Sequence, residues 1–232
     1  MLAIQFNEVG GGAQSIQDVF TGNLPDMAYD EQTDTLTWNA KFQTWTGSGY
    51  SNYFWTGSVG GELFEDNDYN NVWVVGEYGE GGIADVAPEV GDGIFLWTSA
   101  TGVTLTQAGE VPTNTTKVVS LNRGYNLICN PFPTAINIQD IAFDGLPDME
   151  YDEQTDTLTW NAKFQTWTGS GYANYFWTGS VGGELFEDNT YNNVWVVGEY
   201  GEGGVADIDI EPGDSFFVWI RTDSDVTATF TK

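Results

Sequence analysis

At 232 residues the chain holds one or two domains, and 41% hydrophobic with 15% aromatic residues is enough apolar surface to build a core in each. Histidine is absent and Cys129 is the single cysteine, which excludes Ser-His-Asp and Cys-His catalytic pairs, His/Cys zinc sites, CxxC redox chemistry and an intrachain disulfide. Six basic residues against 34 acidic ones give a formal charge of −28, which repels phosphate backbones and anionic lipids, so neither nucleic acid nor a membrane surface is an expected partner.

The N-terminal MLAIQFNEVGGG has neither the basic start nor the long apolar core of a signal peptide, and no apolar run approaches the ~18 residues of a membrane span. Leu2–Phe6 reads as an opening strand, followed by Gly10-Gly-Gly12, which restrains the backbone little. Ser15–Phe20 reads as a single helical turn with Ser15 as its N-cap. Thr35-Leu-Thr-Trp38 and Val103-Thr-Leu-Thr106 alternate polar and apolar residues at period two, and Phe42-Gln-Thr-Trp45 is rich in β-formers. Asn71-Val-Trp-Val-Val75 and Gly93-Ile-Phe-Leu-Trp97 are short apolar runs near glycines, the pattern of strands in a sandwich core. Turns are expected at Thr46–Gly49, Val59–Gly61, Tyr78–Gly82 and Val90–Gly93. No window carries a sustained helical stripe.

From Tyr29 to Gly82 the chain repeats itself as Tyr151–Gly204, an offset of 122 residues, with differences only at Ser51/Ala173 and Asp68/Thr190. The register continues without gaps outside that block: Gln17-Asp18 matches Gln139-Asp140, and Glu89-x-Gly91-Asp92 matches Glu211-x-Gly213-Asp214. The ten tryptophans form five pairs at the same offset. A unit this long is a whole domain, since solenoid repeats run to roughly 20–50 residues. The sequence therefore predicts an all-β protein of two tandem copies, each an antiparallel β-sandwich or small barrel of about 7–9 strands. Copy 1 spans 1–110, a Pro/Thr/Asn linker 111–116, and copy 2 117–232.

Gly124-Tyr-Asn-Leu-Ile-Cys-Asn-Pro-Phe-Pro-Thr134 resembles the "GWNLIGNPYPS"-type segment that opens β-rich modules in secreted and surface proteins of Bacteroidetes and related bacteria. Glu211-Pro-Gly-Asp-Ser-Phe-Phe-Val-Trp219, with Val226–Phe230, is similar to the segment that closes such modules. The resemblance covers the two ends of copy 2 and implies an exported, extracellular or cell-surface module with no assigned catalysis. Copy 1 departs from it, with Glu8-Val-Gly-Gly11 where copy 2 has Asn130-Pro-Phe-Pro133.

Two constellations are candidates for binding. Trp45, Tyr50, Tyr53 and Trp55, repeated as Trp167, Tyr172, Tyr175 and Trp177, interleave aromatics with Thr, Ser and Asn, the mixture a glycan platform needs. The same rings also suit the filling of two small β cores. Asp66, Asp68, Asn70 and Glu77 occupy positions 1, 3, 5 and 12 of an EF-hand-like loop, and Asp26, Asp30 and Asp34 form a second acidic cluster, so calcium is the one cofactor with a candidate site. Asn71 at position 6, where an EF-hand has Gly, and the strand pattern of Val72–Val75 depart from that motif. The other reading of both clusters is solvated acidic turns.

No carboxylate pair stands out for glycoside hydrolysis, Gly79–Gly82 lacks the context of a phosphate cradle, and Cys129 sits in an apolar run as a buried thiol. The expectation is a non-enzymatic extracellular or cell-surface structural and adhesive protein, with a carbohydrate-binding module as the alternative. Its partner is then another copy of itself or a glycan. Leu2–Phe6 on its glycine hinge is the candidate for strand exchange between copies, against an ordinary first strand tied into its own sheet.

Overall fold

The computed structural model describes residues 2–3, 13, 15–19, 21–103, 105–106, 110–111 and 113–232. The fold is all-β, and its helical segments are single turns. Phe6 and Gly10–Gly12, invoked for strand exchange, lie outside the described residues.

A five-stranded antiparallel sheet organises each repeat. In the first repeat the strands lie in the order Leu2–Ala3, Gly93–Thr98, Ala40–Trp45, Tyr50–Trp55 and Trp73–Val75. In the second they are Gly124–Cys129, Ser215–Ile220, Ala162–Trp167, Tyr172–Trp177 and Trp195–Val197. The expected turn at Thr46–Gly49 joins two of these strands, with Thr46 N–H donating to the Gly49 carbonyl at 2.9 Å and Gly47 at φ +92°.

Period-two alternation gives each sheet one core face. Phe42, Tyr53, Trp73 and Ile94 turn inward in the first repeat, and Phe164, Tyr175, Trp195 and Phe216 in the second. The second core is closed by a three-stranded sheet of Thr116–Leu121, Val226–Thr231 and Ala142–Asp144, whose Phe230 and Phe143 lie 6.3 Å from Phe216 and 5.4 Å from Trp195. Thr116 thus belongs to a strand, one residue inside the expected linker.

The turn expected at Ser15–Phe20 is the helix Ile16–Val19, and the Ser15 hydroxyl accepts from Gln17 N–H at 3.2 Å. Gln17 then bonds the outermost strand of its sheet: its amide donates to the carbonyls of Trp73 and Ala84 and accepts from Trp73 N–H. Gln139 repeats all three bonds with Trp195 and Ala206. This pair, matched in the sequence, satisfies backbone groups that an edge strand would otherwise expose. The turn expected at Val59–Gly61 is instead two short helical segments, Gly57–Val59 and Gly60–Leu63.

The described residues of the two repeats differ at their opening strands. Gly124–Cys129 pairs with Ser215–Ile220 along six residues. Leu2–Ala3 pairs with Ile94 and Gly93 of its own chain, in a different register: Leu2 faces Ile94, where the 122-residue offset would bring Phe6. The two registers differ by four residues.

Candidate functional site

The pleat divides the aromatic stretch between two faces. Trp45 and Tyr50 are direct cross-strand partners on the face away from the core, their rings 4.8 Å apart. Tyr53 pairs with Phe42, Trp55 pairs with Trp73, and these rings pack against the core. The second repeat splits in the same way, with Trp167 and Tyr172 outward and Tyr175 and Trp177 inward. Tyr50 and Tyr53 are an odd number of residues apart, so no extended strand holds both on one face.

The outward face serves different ends in the two repeats. In the first, Trp45 donates its indole N–H to the carbonyl of Tyr125, and its ring lies 6.4 Å from Tyr125 and 5.9 Å from Phe217. Phe95 and Phe217 meet at 5.8 Å, so the repeats are joined by an aromatic seam. Burial in it raises the phenol pKa of Tyr50, beside Tyr172, and that of Tyr172, beside Tyr125. Backbone crosses the seam as well: Cys129 N–H donates to the Gly91 carbonyl at 3.0 Å, and Asp92 forms a β-bridge with Ile128. Gly93 permits this approach, since a Cβ there would meet Leu127 at 2.8 Å and the Ile128 carbonyl at 2.9 Å. Asp92 is exposed as a residue, yet desolvation at the seam lifts its carboxyl above the usual carboxylate range, against the pull of the Glu89 N–H and nearby Lys117. In the second repeat Trp167 remains 45% exposed.

At the start of the near-identical block, each repeat carries an equivalent groove. In the first it measures about 640 Å³ between the hairpin of Ala28–Asp30 with Thr35–Thr37 and the helix Gly60–Leu63, and is lined by Met27, Tyr29, Val59 and Leu63 with Glu31 and Glu62. The counterpart, about 750 Å³, is lined by Met149, Tyr151, Val181 and Leu185 with Glu153 and Glu184, and Glu150 replaces Ala28. Tyr29 and Tyr151 are each 44% exposed and are held by Asp34 and Asp156, whose carboxylates accept the phenol hydrogens at 2.7 and 2.8 Å and thereby raise both phenol pKa values. Asp26 ties the two walls together, accepting from Ser58 N–H at 3.1 Å and from its hydroxyl at 2.5 Å. A Cβ at Gly57, where φ is +67°, would lie 2.2 Å from that carboxylate, so the tether demands glycine. The sequence reading missed these grooves; their signal was Tyr29, Val59 and Leu63 kept apolar in a turn-rich stretch.

Five of the seven residues considered for calcium, Asp26, Asp30, Asp34, Asp66 and Asn70, use their side chains in such local geometry, and Asp68 and Glu77 enter it through the backbone. Asp30 accepts from Gln32 N–H at 2.9 Å, Asp66 from Asp68 N–H at 3.0 Å, and Asn70 from Gly61 N–H at 2.8 Å. Asp34 holds Tyr29, Asp26 holds Ser58, and the backbone carbonyl of Glu77 accepts from the Trp38 indole. Among the described residues no three His, Cys, Asp or Glu side chains are grouped to hold a metal ion. No described helix is long and apolar enough to cross a membrane.

No protein-family model, curated protein or solved structure matches the chain.

Proposed function

We propose that the chain is a non-catalytic adhesive module of the cell surface or extracellular space, which grips a basic, partly apolar polypeptide through its two equivalent grooves. The observation that carries this reading is the repetition of one acidic, aromatic-walled groove in both repeats. Glutamates on the rim complement lysine or arginine head groups, and Met27, Leu63 and Tyr29 accept their aliphatic stems or a neighbouring apolar side chain. Two linked grooves raise avidity through effective concentration without any new contact. The charge of −28 favours cationic partners over the whole surface, and the resemblance of copy 2 to exported β-modules supports the location.

Calorimetric titration with a lysine- and leucine-containing peptide tests the reading. Two equivalent sites are expected. Glu62→Lys should leave one, and Glu62→Lys with Glu184→Lys none, with each site weakened by about tenfold or more. Absence of binding, or binding indifferent to the double substitution, overturns it.

A second reading, assembly through strand addition, is favoured by the sheet edge at Gly93–Thr98. Leu2–Ala3 covers Gly93 and Ile94, whereas the matching edge in the second repeat is covered along its whole length by Gly124–Cys129. Among the described residues, Phe95–Thr98 have no strand on that side, and Trp97 is 49% exposed there. Where such an edge stays uncovered, it accepts a strand from a second copy. Sedimentation should show association that grows with concentration, and a compact monomer at every concentration contradicts it.

A further inference from the structure

Each five-stranded sheet turns one face away from its core, and that face is chemically unlike the rest of this acidic chain. None of the 34 acids stands in the described strands of the two sheets, where the charged residues are Lys41 and Lys163. In the second repeat the outward row of Ala162–Trp167 is Lys163, Gln165 and Trp167. Across the hairpin Tyr172 stands opposite Trp167 and Asn174 opposite Gln165, so these side chains share the face. From Lys163 to Trp167 the row runs about 14 Å along the strand.

Trp167, Tyr172 and Tyr50 are 45%, 39% and 40% exposed, and ring contacts join them into one shelf. Trp167 meets Tyr172 at 5.1 Å, Tyr172 meets Phe217 at 6.0 Å, Phe217 meets Phe95 at 5.8 Å, and Phe95 meets Tyr50 at 5.6 Å. Tyr50 and Phe95 belong to the first repeat, so the shelf exists because the repeats dock. Beside it Gln165 Nε2 donates to Asn174 Oδ1 at 2.5 Å. That bond leaves the Gln165 oxygen to accept and the Asn174 amide, held at 3.5 Å by the Tyr172 carbonyl, to donate. Gln43 and Asn52 repeat the pair at 2.6 Å on the outward face of the first sheet, next to Tyr50.

We infer that this shelf binds an extended, uncharged polysaccharide. Sugar rings present C–H faces that stack on indole and phenol, and their hydroxyls both donate and accept, as the amide pairs beside the rings require. Charge selects the same ligand. A basic peptide finds no carboxylate on these strands, and a total charge of −28 repels an anionic glycan. A proline-rich segment brings carbonyl acceptors but few donors, which leaves the Gln165 oxygen idle. The inference is independent of the paired acidic grooves, which are lined by other residues.

The test is calorimetry and tryptophan fluorescence on the full chain with β-linked hexasaccharides of glucose, xylose and mannose, up to about 10 mM, ten times a dissociation constant of ~1 mM. At least one should bind, and its affinity should change less than about twofold between low and physiological salt, because no charge pair forms. Trp167→Ala and Asn174→Ala should each weaken it about tenfold or more while the melting temperature holds. Tyr175→Phe, one residue along the strand and on the core face, should leave binding unchanged. So should Glu62→Lys with Glu184→Lys, which separates this inference from the groove reading. No binding across the panel, binding that survives Trp167→Ala, or displacement of the sugar by decaproline overturns it.

Discussion

Trp45 and Trp167 have the same neighbours in sequence and opposite positions in the molecule. Both end the same strand, both face away from the core, and both pair with a tyrosine across a hairpin. Trp45 is locked into the seam by the Tyr125 carbonyl, and Trp167 stands open on its sheet. The cause lies outside the repeated block, in the opening strands and in Gly93 against Ser215. Near-identity of two segments fixes their local fold and leaves the use of their surfaces to what packs on them.

The largest expected effect tests how far the equivalence of the two cores extends. Trp73 and Trp195 are fully buried at matching positions, and truncation of either to Ala should cost about 3–5 kcal/mol. Chemical denaturation should show Trp73→Ala unfolding the first repeat ahead of the second, whose opening strand has a six-residue ladder. A phenylalanine at either position should cost less than alanine, because its ring refills much of the cavity and, as with alanine, leaves no buried indole N–H without a described partner.

The seam comes next. Gly93→Val forces a side chain into Leu127 and the Ile128 carbonyl and should cost about 1–3 kcal/mol, separating the repeats into two unfolding transitions. Trp45→Ala removes one hydrogen bond and two ring contacts across the seam and should cost about 1–2 kcal/mol, whereas Trp167→Ala should stay within about 0.5 kcal/mol. Equal losses at Trp45 and Trp167, measured by denaturant titration, would show that the seam carries no stability and dissolve the contrast between them.

Much of the fold was legible in the chain. Alternation in Thr35–Trp38 and the apolar runs at 71–75 and 93–97 correspond to observed strands: period two marks a strand with one buried face, and a short continuous apolar run marks one covered on both, as adjacent Trp73 and Val74 are. The same rule separates Tyr50 from Tyr53 and Trp55, so the split of the aromatic platform follows from odd spacing once Tyr50–Trp55 is recognised as a strand. The helix at Gly60–Leu63 was hidden, since two glycines read as a turn. They are there because a Cβ at Gly60 would strike the Tyr69 carbonyl at 2.0 Å and one at Gly61 the Asn70 amide at 2.7 Å. The seam was hidden for a different reason: it joins residues from both repeats, and an internal comparison reveals what the copies share, not how they meet.

The smallest effect expected from the comparison is electrostatic and belongs to Asp92. Burial at the seam raises its carboxyl pKa in the folded chain above the unfolded value of about 3.9. The folded state therefore holds this proton more tightly than the unfolded one. Its contribution is fully present below the unfolded pKa and is lost as pH rises through the folded one, so acidification across that interval stabilises the seam. Lys117, which lies beside the seam and bridges to Glu89 at 3.6 Å, limits the shift by favouring the ionised form. Asp92→Asn fixes the uncharged state, keeps an oxygen to accept from Glu89 N–H, and should stabilise the chain at pH 7 by a few tenths of a kcal/mol, about the scale of a partly solvated charge. Melting temperatures of the two proteins should converge as pH falls through that interval. The salt series separates this local effect from the repulsion of 34 acids: both proteins should gain stability with ionic strength through screening, and the offset between them should shrink far less than that common gain. A variant that melts with the parent at every pH would show that Asp92 is fully hydrated and that the seam closes without drawing a charge into it.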